Sequence, residues 1–194
     1  MTQTLLKPLD QRFIQSGISW QHFKLIEQGF SDSPGIKLFY YKGEVEILAV
    51  SQEHEFFSRT ICTLLAIYCA ENEIEFAPTG SFTQEQEGVV SAQADESYFI
   101  GRRISPKSPP DLCIEIVFTS GNVRKLERYQ VLGVAEVWFW EDGVLAMYRL
   151  VSDSYEKISS SVVLPGLDIN LLCRCLLMAS SVEGMREFRR GISG

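Results

Sequence analysis

Residues 111–118 read Asp-Leu-Cys-Ile-Glu-Ile-Val-Phe, and the alternation in this octapeptide decides the fold. Successive side chains of a β-strand point to opposite faces, so Leu112, Ile114, Ile116 and Phe118 share one apolar face. Asp111, Cys113, Glu115 and Val117 share the other. The apolar face is core. An ionised carboxylate on the opposite face of a central strand is costly unless it meets water, a cation or a lysine, so Glu115 needs a partner.

The neighbouring segments supply the context. Residues 122–132 read as a helix closed by Gly133, followed by a strand at 137–140. This strand-helix-strand order implies a parallel pair joined by a right-handed crossover. Glu141-Asp142-Gly143 is a tight turn leading to 144–150, which makes a C-terminal hairpin. Upstream, a strand at 95–100 reaches 112–118 through a loop containing the stiff SPKSPP stretch at 105–110. Segments 36–41 and 44–50 flank Lys42-Gly43, the spacing of an N-terminal hairpin. Ser51 offers a cap, and over 52–70 the apolar residues Phe56, Phe57, Ile61, Leu64, Leu65 and Tyr68 recur at helical spacing. Short strands are expected at 73–76 and 81–83, and helical pieces at 13–20 and 22–28. The fold class is α/β: a mixed sheet flanked by helices, with the two extra hairpins, in one folding unit over 1–194.

Composition narrows the chemistry. The 194 residues are 45% apolar, enough for a sizeable core, and no apolar run approaches a bilayer span. No basic-then-apolar leader opens the chain, so a cytoplasmic protein without a membrane partner is expected. Five cysteines (Cys62, Cys69, Cys113, Cys173, Cys175) form no CxxC pair and are expected as buried thiols. Two histidines, His22 and His54, are too few for a histidine-rich metal site, so any ion would be held by carboxylates. Hard oxygen donors favour magnesium or manganese over zinc.

The net charge of −7 argues against a protein that coats DNA by bulk attraction, but the charge is uneven. Residues 1–96 carry −8 and residues 97–194 carry +1. Arg102, Arg103 and Lys107 form one basic cluster, and Arg124, Lys125 and Arg128 another; the plainer reading of each is a solvated face.

If strand 95–100 pairs antiparallel with 112–118 about a loop centred near residue 105, Asp95 lies directly across from Glu115. Such pairs have Cβ atoms about 4.5–5.5 Å apart, where two carboxylates repel unless a cation sits between them. A slip of one residue would replace Asp95 by Glu96. Lys125 falls in the first turns of the crossover helix, beside the carboxyl end of the strand where open α/β sheets place ligands. There it could hold a phosphate oxygen or lower the pKa of a metal-bound water.

Four stretches carry a family resemblance: ADESYFIG (94–101), PPDLCIEIVFTSG (109–121), KLERYQVLGVAEVWFWEDG (125–143) and VLPGLDINLL (163–172). Together they resemble the Uma family of restriction endonucleases within the PD-(D/E)XK nuclease superfamily, over about residues 35–178. The resemblance implies a restriction-endonuclease-like fold and metal-dependent hydrolysis of phosphodiester bonds, expected in DNA. It implies an Asp and a Glu that hold Mg2+ or Mn2+ and a Lys that assists the attacking water, matched by Asp95, Glu115 and Lys125. The superfamily's usual lysine position, two residues after the Glu, is Val117 here, so the resemblance implies that the lysine has migrated to the following helix.

Secondary candidates follow. His54 matches a histidine that the family carries at the start of the long helix; its plainer reading is structural. Glu46 could supply an extra acid near the metal, against the plainer reading of a surface strand carboxylate. Asp111 shares a face with Glu115 at roughly 13 Å, and Tyr129 sits one turn beyond Lys125. Arg102, Arg103, Arg124 and Arg128 are the candidates for contacting nucleic acid, and two-strand cleavage with one centre per chain implies a homodimer. The competing reading is a nuclease-fold interaction module without catalysis, motivated by the acidic first half and by Val117.

Overall fold

The computed structural model describes residues 10–105, 108–118 and 122–192. Lys107 of the first basic cluster lies outside them. Sixteen elements follow in order: β1 (Gln11–Ser16), α1 (Trp20–Gly29), β2 (Ile36–Tyr41), β3 (Glu44–Ala49), α2 (Gln52–Glu71), β4 (Phe76–Pro78), β5 (Thr83–Gln86), β6 (Val90–Gln93), β7 (Glu96–Ile100), β8 (Leu112–Ile116), α3 (Asn122–Leu132), β9 (Glu136–Glu141), β10 (Val144–Val151), β11 (Ser154–Ile158), α4 (Ile169–Leu176) and α5 (Ser181–Ile192).

The strands form two sheets, ordered β1-β3-β2-β6-β5 and β11-β10-β9-β8-β7-β4. The second sheet is mixed: β8 and β9 run parallel around the α3 crossover, and every other pair in it is antiparallel. β8 is buried along its whole length, and its parity sorts the interior into two layers. Leu112, Ile114 and Ile116 pack with Ile61, Leu64 and Leu65 of α2 and with residues of α4 and α5. Cys113 and Val117 point the other way, into a layer with Tyr129 of α3, Val137 and Phe139 of β9, and Phe39 and Leu48 of the first sheet. Glu115 belongs to this second layer by position. On the far side of the first sheet, Leu38 and Tyr40 pack under Phe23 of α1.

Both expected hairpins form. Lys42 and Gly43 take φ values of 47° and 88°, and Asp142 and Gly143 take 48° and 83°, the left-handed pairs that a two-residue turn demands. The N-terminus departs from expectation, because residues 11–16 are an edge strand and not a helix. Phe13 pairs with Ile47 across β3, so ladder hydrogen bonds available only in the folded chain outweigh local helical spacing. Helix α1 begins at Trp20, where the piece at 13–20 was expected to end, and contains the piece expected at 22–28; the Ser19 hydroxyl caps it by accepting the His22 N–H. Cys69, Cys113 and Cys175 are buried as expected, whereas Cys62 and Cys173 are half-buried; all five are free thiols. No described helix is long and apolar enough to cross a membrane.

Candidate active site

The register of β7 on β8 pairs Glu96 with Ile114 and Ser97 with Cys113. The ladder ends there, and Asp95 lies just beyond it beside the end of β8. The Asp95 N–H donates to the Ile114 carbonyl at 3.0 Å, and the Ile116 N–H donates to Asp95 Oδ2 at 2.6 Å. Glu96 consequently takes the other face, where Ser58 Oγ of α2 donates to it at 3.0 Å.

Each carboxylate has its own cation. Lys125 Nζ lies 2.6 Å from Glu115 Oε2, and the Tyr129 hydroxyl donates to Glu115 Oε1. Asp95 Oδ1 accepts from Lys37 Nζ and lies 2.8 Å from His54 Nε2, an ion-pair contact without good hydrogen-bond alignment. The other imidazole nitrogen, Nδ1, meets Asp10 Oδ2 at 2.8 Å, while Asp10 Oδ1 caps α2 by accepting the Ser51 N–H. The Asp and Glu side chains are 1% exposed and those of Lys37 and Lys125 are 8% exposed, so the lysines form the solvent side of the cluster.

Burial by itself would discharge Asp95, Lys125 and His54, but the opposite charges around them outweigh it. Burial pushes Asp95 up, yet Lys37, His54 and Lys125 outweigh it and hold its carboxyl below the usual range. Lys125 is drawn down by burial and raised further by Glu115, Asp95 and Glu46. His54 loses to burial but gains more from Asp10 and Asp95, and its imidazole is raised to about 9. Its ring nitrogens both face carboxylates, an arrangement that only the doubly protonated ring satisfies.

The structure brings together Asp95, Glu115, Lys125, His54 and Tyr129. It does not bring Asp111 to them: that carboxylate grips Arg102 through two contacts of 3.0 Å and accepts the Ile100 N–H. Arg102 also donates to Ser108 Oγ and the Pro109 carbonyl, so this basic residue braces the β7–β8 loop. Glu46 is buried, against the surface reading, because Arg12 and Arg128 clasp its two oxygens at 2.6 Å each. Arg128 is therefore no part of a solvated face, whereas Arg124 is exposed and lies 3.3 Å from Glu44. Arg103 is exposed.

Sequence reasoning missed Lys37 and Asp10. Lys37 sits two residues before Phe39, and strand parity turns both toward the layer that holds Glu115; a lysine at an inward position of an otherwise apolar strand was the available signal. Asp10 had none, since its role depends on where the first strand meets the start of α2.

Among the described residues, no three His, Cys, Asp or Glu side chains form a ready-made metal cluster. Magnesium nevertheless needs only one or two protein carboxylates, with water and substrate oxygens completing its octahedron. Asp95 and Glu115, two buried carboxylates of one cluster, fit that requirement.

Comparison with known proteins accords with this geometry. A crystal structure described as a "putative nuclease belonging to DUF820" from Anabaena variabilis ATCC 29413 superposes with a TM-score of 0.62. It is 17% identical, and the match covers 82% of this chain and 99% of that one, which establishes the shared fold. No curated protein matches. The model of the Uma2 family, described as "Putative restriction endonuclease", matches residues 20–179, and the chain belongs to that family.

Proposed function

We propose that this protein is a Mg2+- or Mn2+-dependent endonuclease acting on phosphodiester bonds in DNA. The observation that carries the reading is the convergence of the buried Asp95 and Glu115 on one cluster of cations, with Lys125 at 2.6 Å from Glu115 and within electrostatic reach of Asp95. Two buried acids in one cluster are tolerated only with cations beside them, and the lysines supply this compensation when no ion is present.

Asp95 and Glu115 would hold the metal, which when bound supplies Lewis-acid stabilisation of charge building on the phosphate oxygens. Lys125, released from part of its pairing with Glu115, orients the attacking water and favours its deprotonated form. Lys37, which lines a cleft with Ser51, Gln52 and Arg59, offers a second ammonium to the substrate side. Tyr129 and His54 fix the two carboxylates in place from behind. The cluster draws on both sheets and two helices, which supports one folding unit, and two-strand cleavage from one centre per chain calls for a homodimer.

The test is cleavage of duplex, single-stranded, branched and RNA substrates with each metal, beside calorimetric metal binding. Silence on every substrate by a protein that binds the metal refutes catalysis. One observation favours the second reading, a non-catalytic interaction module: all four oxygens of Asp95 and Glu115 already have protein partners. Metal binding unaltered by Asp95→Ala and Glu115→Ala would select it.

A further inference from the structure

Arg128 presents an unresolved account. Its Nη2 donates to Glu46, but Nε and Nη1 are enclosed and meet no acceptor among the described residues. Buried donors without partners cost about 1–3 kcal/mol each, more on a charged group, so a native structure retains them where something else completes them. The side chain is 2% exposed and stacks over the Phe39 ring at 5.1 Å, leaving it little freedom to turn away.

The same residue lines a cleft of about 450 Å3 whose walls include Lys42, Gly43, Glu44, Arg124 and Glu127. Lys42 is fixed at the tip of the β2–β3 hairpin by its left-handed turn, and Arg124 stands one turn before Arg128 on α3. The three cations outnumber the two acids in this wall. Among the described residues Arg124 is engaged only by Glu44, in an exposed pair worth little, so an incoming anion can draw it off at small cost.

The position relative to the candidate active site completes the picture. Lys125 and Arg128 are three residues apart on α3 and both lie over Phe39, at 5.4 and 5.1 Å. Side chains at that helical spacing are about 5–6 Å apart, the scale that separates successive phosphates of a nucleic-acid strand, which rise roughly 3.4 Å along the helix axis while winding round it.

We propose that this cleft is a phosphate subsite, in which Lys42 and Arg124 hold a backbone phosphate beside the one under attack and a small shift of Arg128 toward the cleft it lines brings its two unpartnered nitrogens to the same phosphate. The inference rests on the nuclease reading for its ligand but not for its test. Arg128 is a dual residue: one nitrogen anchors it to Glu46, and the others present a preset fork that a lysine cannot reproduce.

The experiment measures binding of a fluorescent 20-base-pair DNA duplex by anisotropy in EDTA, where no cleavage occurs, across a salt series. Arg124→Ala and Lys42→Ala alter exposed side chains and leave the fold intact. Each is expected to weaken binding roughly tenfold and to reduce the log–log salt slope by about 0.9, the signature of one lost phosphate contact. Arg128→Lys, checked for folding by circular dichroism, is expected to weaken binding roughly tenfold, while Arg186→Ala on α5 leaves it unchanged. Wild-type affinity and slope in Arg124→Ala and Lys42→Ala, or no duplex binding by the wild-type protein, overturns the subsite. A protein that binds through this cleft but cuts nothing keeps the subsite and loses the nuclease reading. One that cuts while these variants bind normally does the reverse.

Discussion

Raising the pH should unlock the cluster at His54, and the structure sets both the window and the size. The imidazole titrates near 6.5 when exposed and is raised to about 9 in the fold, between Asp10 and Asp95. A group whose folded value is raised stabilises fully below the unfolded value and loses that contribution as pH climbs through the folded value. The window therefore runs from 6.5 to about 9. At about 1.4 kcal/mol per pH unit the loss is roughly 3 kcal/mol, and it already includes the effect seen at Asp10 and Asp95, which are the same interactions viewed from their partners. Above the window the neutral ring can donate to only one carboxylate, and its lone pair confronts the other. The assay is urea denaturation of metal-free protein in EDTA at pH 6.5, 7.5, 8.5 and about 9.5, for wild type and His54→Gln. Cysteine and tyrosine ionisation affects both proteins, so the difference between them isolates His54. Stability curves that stay parallel over this range, or a histidine NMR titration midpoint below about 7, would refute the reasoning.

Lys125→Met should destabilise the metal-free protein by about 3–5 kcal/mol, because Glu115 is left as a buried charge, and millimolar Mg2+ should return part of that loss in thermal melts. The same substitution should lower the single-turnover cleavage rate by roughly 10²-fold while metal binding persists; a rate equal to wild type at saturating DNA removes Lys125 from the site. Tyr129→Phe should cost about 1–3 kcal/mol in urea denaturation, since it strips one donor from a buried carboxylate. Arg102→Ala should cost under about 1 kcal/mol and leave the cleavage rate unchanged, because its pair with Asp111 is partly exposed and braces a loop away from the carboxylates.

What was legible in the sequence was whatever depended on short-range order. Alternation in 111–118 gave the two faces of β8, loop length about residue 105 gave the register, and Lys42-Gly43 and Asp142-Gly143 gave the turns. Strand β11 and helices α4 and α5 went unread, because the 154–158 segment is mostly polar and exposed and the late helices are short amphipathic pieces whose burial depends on one another. The strand at 90–93 was hidden by its length of 4 residues. At the site, the residues of β7, β8 and α3 could be found by spacing along one hairpin and one crossover. Lys37 and Asp10 could not, since they arrive from a different sheet and from the chain's opening segment. Glu46 and Arg128 looked like surface charges for the same reason: they pair across elements far apart in sequence, with Arg12 also on Glu46 and Phe39 under Arg128.

The missing lysine at Val117 acquires a physical explanation from this arrangement. Val117 follows Glu115 on the same face of β8, but it is buried in an apolar layer with Phe39, Tyr129 and Phe139. An ammonium there would need its own acceptor inside that layer. Helix α3 instead delivers Lys125 from outside, its stem over Phe39 and its Nζ on Glu115, and then repeats the device three residues later with Arg128 on Glu46. Lys37 approaches Asp95 from the first sheet in a comparable way. Two buried carboxylates are thus each met by a lysine side chain that is itself slightly more exposed than the acid it faces. Charges tethered at the edge can withdraw when a metal or phosphate competes for their partners, and a lysine fixed within the strand layer could not. On the nuclease reading, a cation carried by the helix keeps β8 apolar where it is covered and keeps the compensating charge movable where the chemistry is proposed to occur.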